Sequence, residues 1–278
     1  MLANGCDRFC SYCIIPMARG PVRSRSLKDI SDEAARFAEF GYKEIVITGI
    51  NISRYGADLG LSLPDAVNAV AASSDARIRL GSLEPDLLSD EMLHIFSSMP
   101  NLCPHFHLAL QSGCDSTLRR MNRRYTAKQF FDKVSLIRSV FKNPSITTDI
   151  IVGFPGETDN EFEETCDFVK SLNLLRAHIF EFSPRKNTPA FSMDNQIAPS
   201  IKKARFDILT ETCRISSENF AKSQVGTDAK VLLEATGTGY TENYLNVTLP
   251  ASQKRAGDII DVYINEADGA SCKAVEIK

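Results

Sequence analysis

Short apolar runs rich in β-branched residues alternate along most of this chain with stretches in which apolar positions recur every three or four residues. The runs read as buried strands and the longer stretches as amphipathic helices, the signature of repeated βα units. Strands are predicted over 44–49, 77–82, 105–110, 145–153 and 177–182. Ser26-Leu27-Lys28-Asp29 has the makings of a capping box for a helix that Gly41 would stop. A helix over 157–172 would set Phe162, Cys166, Phe168 and Val169 on one face, with acids in its first turns where the helix dipole favours them. Residues 1–3 would be the stub of a further strand, giving six βα units in all.

The pattern changes near Gly226. Short strands recur over 229–235, 243–249, 258–264 and 271–277, separated by turns such as Gly237-Thr238-Gly239, with no helical period. That predicts a small antiparallel barrel of the OB-like kind. The chain therefore divides into a large α/β domain over 1–218 and a small all-β domain over 219–278.

Composition narrows the class. A chain of 278 residues with 43% hydrophobic content can bury a sizeable core. No apolar stretch is long enough for a membrane span, and the first five residues do not form a signal peptide, so a cytoplasmic enzyme without membrane attachment is expected. Eight cysteines are too few for a disulfide scaffold in a chain of this length. A reducing compartment keeps them available as thiolates. The net charge of −3 does not mark a general nucleic-acid binder, and residues 219–278 carry six Lys/Arg against eight Asp/Glu. Basic residues gather instead at Arg19, Arg23, Arg25 and Lys28, and at Arg119, Arg120, Arg123, Arg124 and Lys128. These runs are either solvated faces or phosphate contacts at the barrel mouth. Tyr240, Asn243 and Tyr244 are candidates to stack on unpaired bases, or are ordinary surface residues of the small barrel. His105 and His107 share one face of a strand and read as structural, while His94 and His178 have no interpretable neighbours.

Polar loops follow the predicted strands in register. They are Thr48-Gly49-Ile50-Asn51, Ser82-Leu83-Glu84-Pro85, Gln111-Ser112-Gly113-Cys114, residues 153–158 and residues 183–190. Parallel barrels gather ligands at the C-terminal ends of their strands, so five such loops on one rim point to a shared pocket.

The sharpest chemical signal lies in the first thirteen residues. Cys6, Cys10 and Cys13 form a C-x₃-C-x₂-C triplet with no fourth Cys or His nearby, whereas Cys103, Cys114, Cys166, Cys213 and Cys272 are scattered. A structural zinc site takes four protein ligands. A [4Fe–4S] cluster held by three thiolates leaves one iron open for another ligand. The triplet, with an aromatic residue before its third cysteine, resembles that of the radical S-adenosylmethionine (SAM) enzymes. Together with ARGPVRSRS, TGIN, SLEP, LALQSGC, MNRRYT, DIIVGFPGET and FSPRKNTPA, it resembles the methylthiotransferase branch of that family along essentially the whole chain.

That resemblance implies a partial (β/α)₆ barrel followed by a TRAM domain. Cys6, Cys10 and Cys13 would ligate one [4Fe–4S] cluster whose open iron chelates SAM. Tyr12, Thr48, Gly49, Asn51, Ser82, Glu84, Gln111 and Arg124 would surround SAM, and no catalytic residue beyond these is assigned. Asp7-Arg8-Phe9, residues 82–85 and residues 183–190 look most like the enzymes that methylthiolate C2 of N6-threonylcarbamoyladenosine beside the tRNA anticodon. The alternatives are isopentenyladenosine in tRNA or a ribosomal protein as substrate, or a non-catalytic RNA-binding protein that retains the barrel. Partners implied are tRNA through its anticodon loop and an electron donor such as flavodoxin or ferredoxin, with the chain a monomer. The second [4Fe–4S] cluster of the family is expected in an N-terminal domain that this chain lacks, so the chain alone is expected to cleave SAM without inserting sulfur. Cys114 replaces the family's serine and, near a cluster, would be open to oxidation.

Overall fold

The computed structural model describes residues 1–250 and 254–277. The small domain expected over 219–278 includes 251–253 and 278, which lie outside the described residues. Strand β1 (Ala3–Asn4) pairs antiparallel with β2 (Arg23–Ser24), the two enclosing helix α1 (Ile15–Arg19). Its other side meets the next strand end: Leu2 N–H donates to Thr48 O at 2.7 Å and Ile50 N–H to Ala3 O at 3.3 Å. There follow α2 (Leu27–Glu39), β3 (Glu44–Ile47), α3 (Leu63–Ser73), β4 (Arg77–Leu80), β5 (Ser82–Leu83), α4 (Asp90–Ser97) and β6 (His105–Leu108). Then come α5 (Asp115–Arg120), α6 (Ala127–Val140), β7 (Ser145–Val152), α7 (Asp159–Leu172), β8 (Arg176–Glu181) and α8 (Pro199–Gln224).

Side-chain caps set the helix starts. Ser26 Oγ accepts from Asp29 N–H, and complete capping boxes open α6 (Thr126 with Gln129) and α7 (Thr158 with Glu161). Helix α7 begins two residues later than predicted because the Glu157 carboxylate is engaged elsewhere, accepting from Gly153 N–H and Arg205 at 2.7 Å each.

Parallel pairing runs β3-β4 and β5-β6-β7-β8. The strand predicted over 77–82 is broken at Gly81, where an added Cβ would stand 2.9 Å from Ile47 O. Hydrogen bonds Gly81 N–H to Ile47 O (2.8 Å) and Cys103 N–H to Ile78 O (2.8 Å) carry the sheet across the break. The result is an open parallel half-barrel. Its outward residues Ile45, Ile47, Ile78, Leu80, Phe106, Leu108, Ile146, Ile150 and Val152 form one core with the helices. Each contributes on the order of 1.5–3 kcal/mol by leaving water. The alternate residues face inward.

The second unit is a closed barrel in the order β10-β11-β13-β12-β9, from β9 (Asp228–Ala235), β10 (Thr238–Thr241), β11 (Asn246–Thr248), β12 (Ile259–Asp268) and β13 (Ser271–Glu276). It departs from the prediction three times. The β11·β13 pair is parallel, and residues 238–241, whose first two were read as part of a turn, form a strand, β10. Leu245 N–H donates to Thr241 Oγ1 at 2.9 Å and closes a tight loop that delays the next strand to Asn246. Phe220 and Ala221 of α8 sit inside this barrel's core with Val231, Val262 and Cys272, which is why we propose to divide the chain near 219.

The barrel plugs the floor of the half-barrel, at the N-terminal ends of its strands. Arg77 and Arg79 share the Glu44 carboxylate and donate to the carbonyls of Lys230, Tyr240, Thr241 and Glu242. Tyr244 stacks between Tyr240 (4.8 Å) and His105 (4.7 Å), with Arg79 4.6 Å from its ring centre. Asn243 donates to Asn143 O and to Gln224. Tyr240, Asn243 and Tyr244, candidates for base stacking by sequence, are thus engaged in joining the two units.

Candidate active site

Residues 5–14 form a loop across the opposite end, above the C-terminal ends of the strands. It starts at Gly5, whose φ of +78° and approach to Pro21 leave no room for a side chain. Residues after β3, β5, β6 and β8 fasten it, as does Gly20 just before β2. Cys6 N–H donates to Gly20 O at 3.1 Å, and Arg54, after β3, makes a two-pronged bond to the Asp7 carboxylate. Arg8 pairs with Asp86, after β5, at 2.5 Å. Asn122 Nδ2 donates to Phe9 O at 2.6 Å, and Ser11 bonds Arg120 O (2.7 Å), Met121 O (3.0 Å) and Ala190 N–H (2.8 Å). Bidentate and charge-assisted bonds of this kind fix orientation as well as position.

The three thiols are free and receive N–H donors. Arg8 N–H lies 3.4 Å and Asn51 Nδ2 3.7 Å from Cys6 Sγ, and Arg123 Nη1 lies 3.2 Å from Cys10 Sγ. Burial pushes the Cys13 thiol up, with Cys10 and Cys6 adding to the effect. Among the described residues, three Cys, His, Asp or Glu ligand atoms converge within 4.8 Å only at His107, Asp149 and His178. At least one pair of the cysteine sulfurs therefore stands more than 4.8 Å apart, beyond the roughly 3.8 Å spacing of thiolates around one tetrahedral zinc. That separation and the N–H donors to the sulfurs suit thiolates on three iron corners of a cubane cluster. Asn51 adds a second point of fit: its Oδ1 is buried with no partner, an acceptor in want of an ammonium or hydroxyl.

Of the predicted SAM neighbours, the structure brings several to this loop. Tyr12 lies on it and meets Phe154 edge-on, its hydroxyl pKa raised by burial. Asn51 touches Cys6, and Gly49 packs so close to Ala3 that a Cβ would meet Ala3 O at 3.0 Å. Glu84 pairs with Arg123 and approaches Arg8 at 4.0 Å. Gln111 is buried at the end of β6 in a left-handed conformation (φ +67°), bridging to β7. Thr48 and Ser82 are exposed at their strand ends. Arg124 is exposed and stands outside the group; its neighbour Arg123 occupies the place, held over the Tyr125 ring at 5.0 Å. The run Arg123-Arg124 carried the signal without saying which turns inward. Asp86 and Arg54 were missed altogether and Arg8 was read only within the Asp7-Arg8-Phe9 motif, since their value is in pairs distant along the chain.

Two loops of the predicted rim have other tasks. In the loop at 153–158, Phe154 is buried against Phe182, and Glu157 binds Arg205 of α8. Cys114 turns to the helical side, where Glu164 of α7 hydrogen-bonds its thiol, and burial pushes that thiol up. It is not placed beside the cysteine loop. A groove of about 710 Å³ between α7 and α8 also lies on that outer side, around Phe162, Cys166, Ile201 and Ile208.

The inner face carries a polar row that the sequence did not reveal. His105 Nε2 lies 2.9 Å and His107 Nδ1 3.1 Å from Thr147 Oγ1, and His107 Nε2 lies 3.2 Å from Asp149 Oδ2. His178, beside Asp149 in the β7·β8 register, has its ring 6.0 Å from that of His107. Burial lowers the pKa of both His105 and His178.

Comparison with known proteins places this architecture. Residues 1–169 match the Radical SAM superfamily. The chain is 40% identical over 281 residues to the threonylcarbamoyladenosine tRNA methylthiotransferase MtaB of Thermotoga maritima, covering 98% of this chain and 64% of that protein. It is 35% identical over 284 residues to the tRNA-2-methylthio-N(6)-dimethylallyladenosine synthase of Oceanobacillus iheyensis, covering 99% of this chain and 55% of that one. The chain thus spans less than two thirds of these relatives. Among solved structures, the radical SAM methyltransferase TsrM from Kitasatospora setae superposes with a TM-score of 0.57 at 17% identity, over 68% of this chain and 37% of that one, a likeness of fold.

Proposed function

Because the chain belongs to the radical SAM superfamily, we propose that it is the core of a tRNA methylthiotransferase acting at C2 of N6-threonylcarbamoyladenosine next to the anticodon. The observation that carries the reading is the cysteine loop: three free thiols with N–H donors, clasped from the neighbouring strand ends. Cys6, Cys10 and Cys13 would hold a [4Fe–4S] cluster, and SAM on its open iron supplies, when bound, the one-electron chemistry that acid–base groups cannot bring to an aromatic C–H. The chain's own residues orient and shield. Asn51 Oδ1 offers an acceptor to the SAM ammonium, and Arg123 holds Glu84 beside Cys10, where its carboxylate can meet ribose hydroxyls. Tyr12, Gly49 and Gln111 wall the same space, with Thr48 and Ser82 at its open edge.

Exposed Arg19, Arg23, Arg119, Arg124, Arg185 and Lys186 follow the strand ends on this side and suit the phosphates of an anticodon loop. No helix is long and apolar enough to cross a membrane among the described residues. A cytoplasmic monomer reduced by a flavodoxin or ferredoxin completes the reading.

The test is anaerobic reconstitution with iron and sulfide, reduction, and incubation with SAM. We expect methionine and 5′-deoxyadenosine as products. Faithful cluster loading with no SAM cleavage would leave a non-catalytic RNA-binding barrel as the better account.

A further inference from the structure

The two tRNA-modifying relatives differ in what their adenosine carries on N6. One name specifies a threonylcarbamoyl group, with a carboxylate, a hydroxyl and ureido N–H donors; the other specifies a dimethylallyl group, which is wholly apolar. The inner face of this half-barrel is not neutral between them. Above the floor made by Tyr244, β6, β7 and β8 present His107, Asp149, His178 and Arg176 in one cross-strand patch. Arg176 has no carboxylate partner among the described residues and lies 5.9 Å from the Tyr244 ring centre, so its charge is free to meet an anion. Nearer the cysteine loop the same face turns apolar, with exposed Val46 and Phe180 and with Ile151 packed toward Tyr12.

Resting on the tRNA reading above, we infer that Arg176, His107, Asp149 and His178 form the seat for a carboxylate-bearing N6 substituent. Arg176 takes the carboxylate, Asp149 accepts from hydroxyl or ureido donors, and the two imidazoles flank the chain between them. Adenine geometry agrees. C2 and C6 lie on either side of N1, so a base that turns C2 to the cysteine loop directs its N6 group away from it, toward this patch. The apolar band above offers the base itself a surface. A dimethylallyl group in the same place would strip water from an arginine, an aspartate and two histidines and return no hydrogen bond.

The inference is tested with the intact 278-residue chain and three anticodon stem-loop RNAs that differ only at N6, carrying threonylcarbamoyl, its methyl ester or dimethylallyl. Binding is followed by fluorescence anisotropy. Arg176→Gln and His178→Ala should each weaken the threonylcarbamoyl RNA, the arginine variant by about tenfold or more, and leave the dimethylallyl RNA within about twofold. The ester should bind the unsubstituted chain like the dimethylallyl RNA. In NMR spectra the ring signals of His107 and His178 should move on addition of the threonylcarbamoyl RNA, while His94, exposed on α4, stays in place. Equal weakening of both RNAs by the variants, or equal affinity of the chain for acid and ester, overturns the seat while leaving the substrate reading intact. Preference of the unsubstituted chain for dimethylallyl overturns the substrate reading, and the seat with it.

Discussion

The two ends of the half-barrel are built from similar residues and finished differently. At the floor, one carboxylate (Glu44) meets two arginines, and every remaining guanidinium prong of Arg77 and Arg79 that reaches the small barrel ends on a carbonyl. Tyrosine and histidine rings close the gaps. At the top, arginines and carboxylates pin a loop, yet its three thiols form no disulfide and the buried Asn51 oxygen has no partner. Each end leaves a buried polar atom unpaired, His105 Nδ1 at the floor and Asn51 Oδ1 at the top, but only at the top does that atom stand beside free thiols, where a ligand can bind.

Replacing single residues at the two ends should break this contrast open. The largest effect falls on Cys10→Ala, which should abolish stable iron binding in reconstituted protein, because two thiolates do not hold a cubane. Cys213→Ala, buried in the helical core, should keep iron and sulfide near the level of the unsubstituted chain. Retained iron in the Cys10 variant would remove the top of the molecule from the comparison.

Arg123→Ala should come next. It leaves Glu84 largely buried beside Cys10 with only the more distant Arg8, a loss of about 3–5 kcal/mol in urea unfolding for an uncompensated buried charge. Arg124→Ala should leave unfolding and iron content unchanged. Matching effects at the two positions would mean that the inward turn of Arg123 has no energetic consequence.

The smallest effect is at the floor. Burial alone would raise the Glu44 pKa, but its bonds to Arg79 and Arg77 outweigh that and hold it below the usual carboxylate value. A group with a depressed folded-state pKa contributes stability above the unfolded value, about 4.3, and loses it as pH falls through the folded one. The unsubstituted chain should therefore lose stability more steeply below pH ~4 than Glu44→Gln. The variant should be weaker by about 2 kcal/mol at neutral pH with iron content intact. An identical acid limb in the two proteins would show that the floor latch carries no charge dependence.

Local patterns were legible along the chain, and distant pairings were not. The short apolar runs placed β6, β7 and β8 within a residue or two, and Ser26 with Asp29 placed α2, since these depend on neighbours along the chain. Helix α8 did not stand out, because it buries Lys202 and Arg205 while exposing Ile201, Ile208 and Ile215, which blurs the helical stripe. The cysteines were legible from spacing alone. Arg123 could not be told from Arg124, nor His178 from an isolated histidine, because what distinguishes each is a partner more than twenty residues away: Glu84 for one, Asp149 for the other.

The clasp on Ser11 has a consequence in time. Its partners are Arg120, Met121 and Ala190, so the cysteine loop waits on contacts made by residues more than a hundred positions further along the chain. Long-range closures of this kind form after local helices and turns, since chain entropy must be overcome first. Until the sixth unit is in place, Cys10 and Cys13 ride on an unfinished loop, open to oxidants and to the wrong metal. Loading the site is thus a task for a chain folded through its sixth unit, and the interval before it is when these thiols are most at risk.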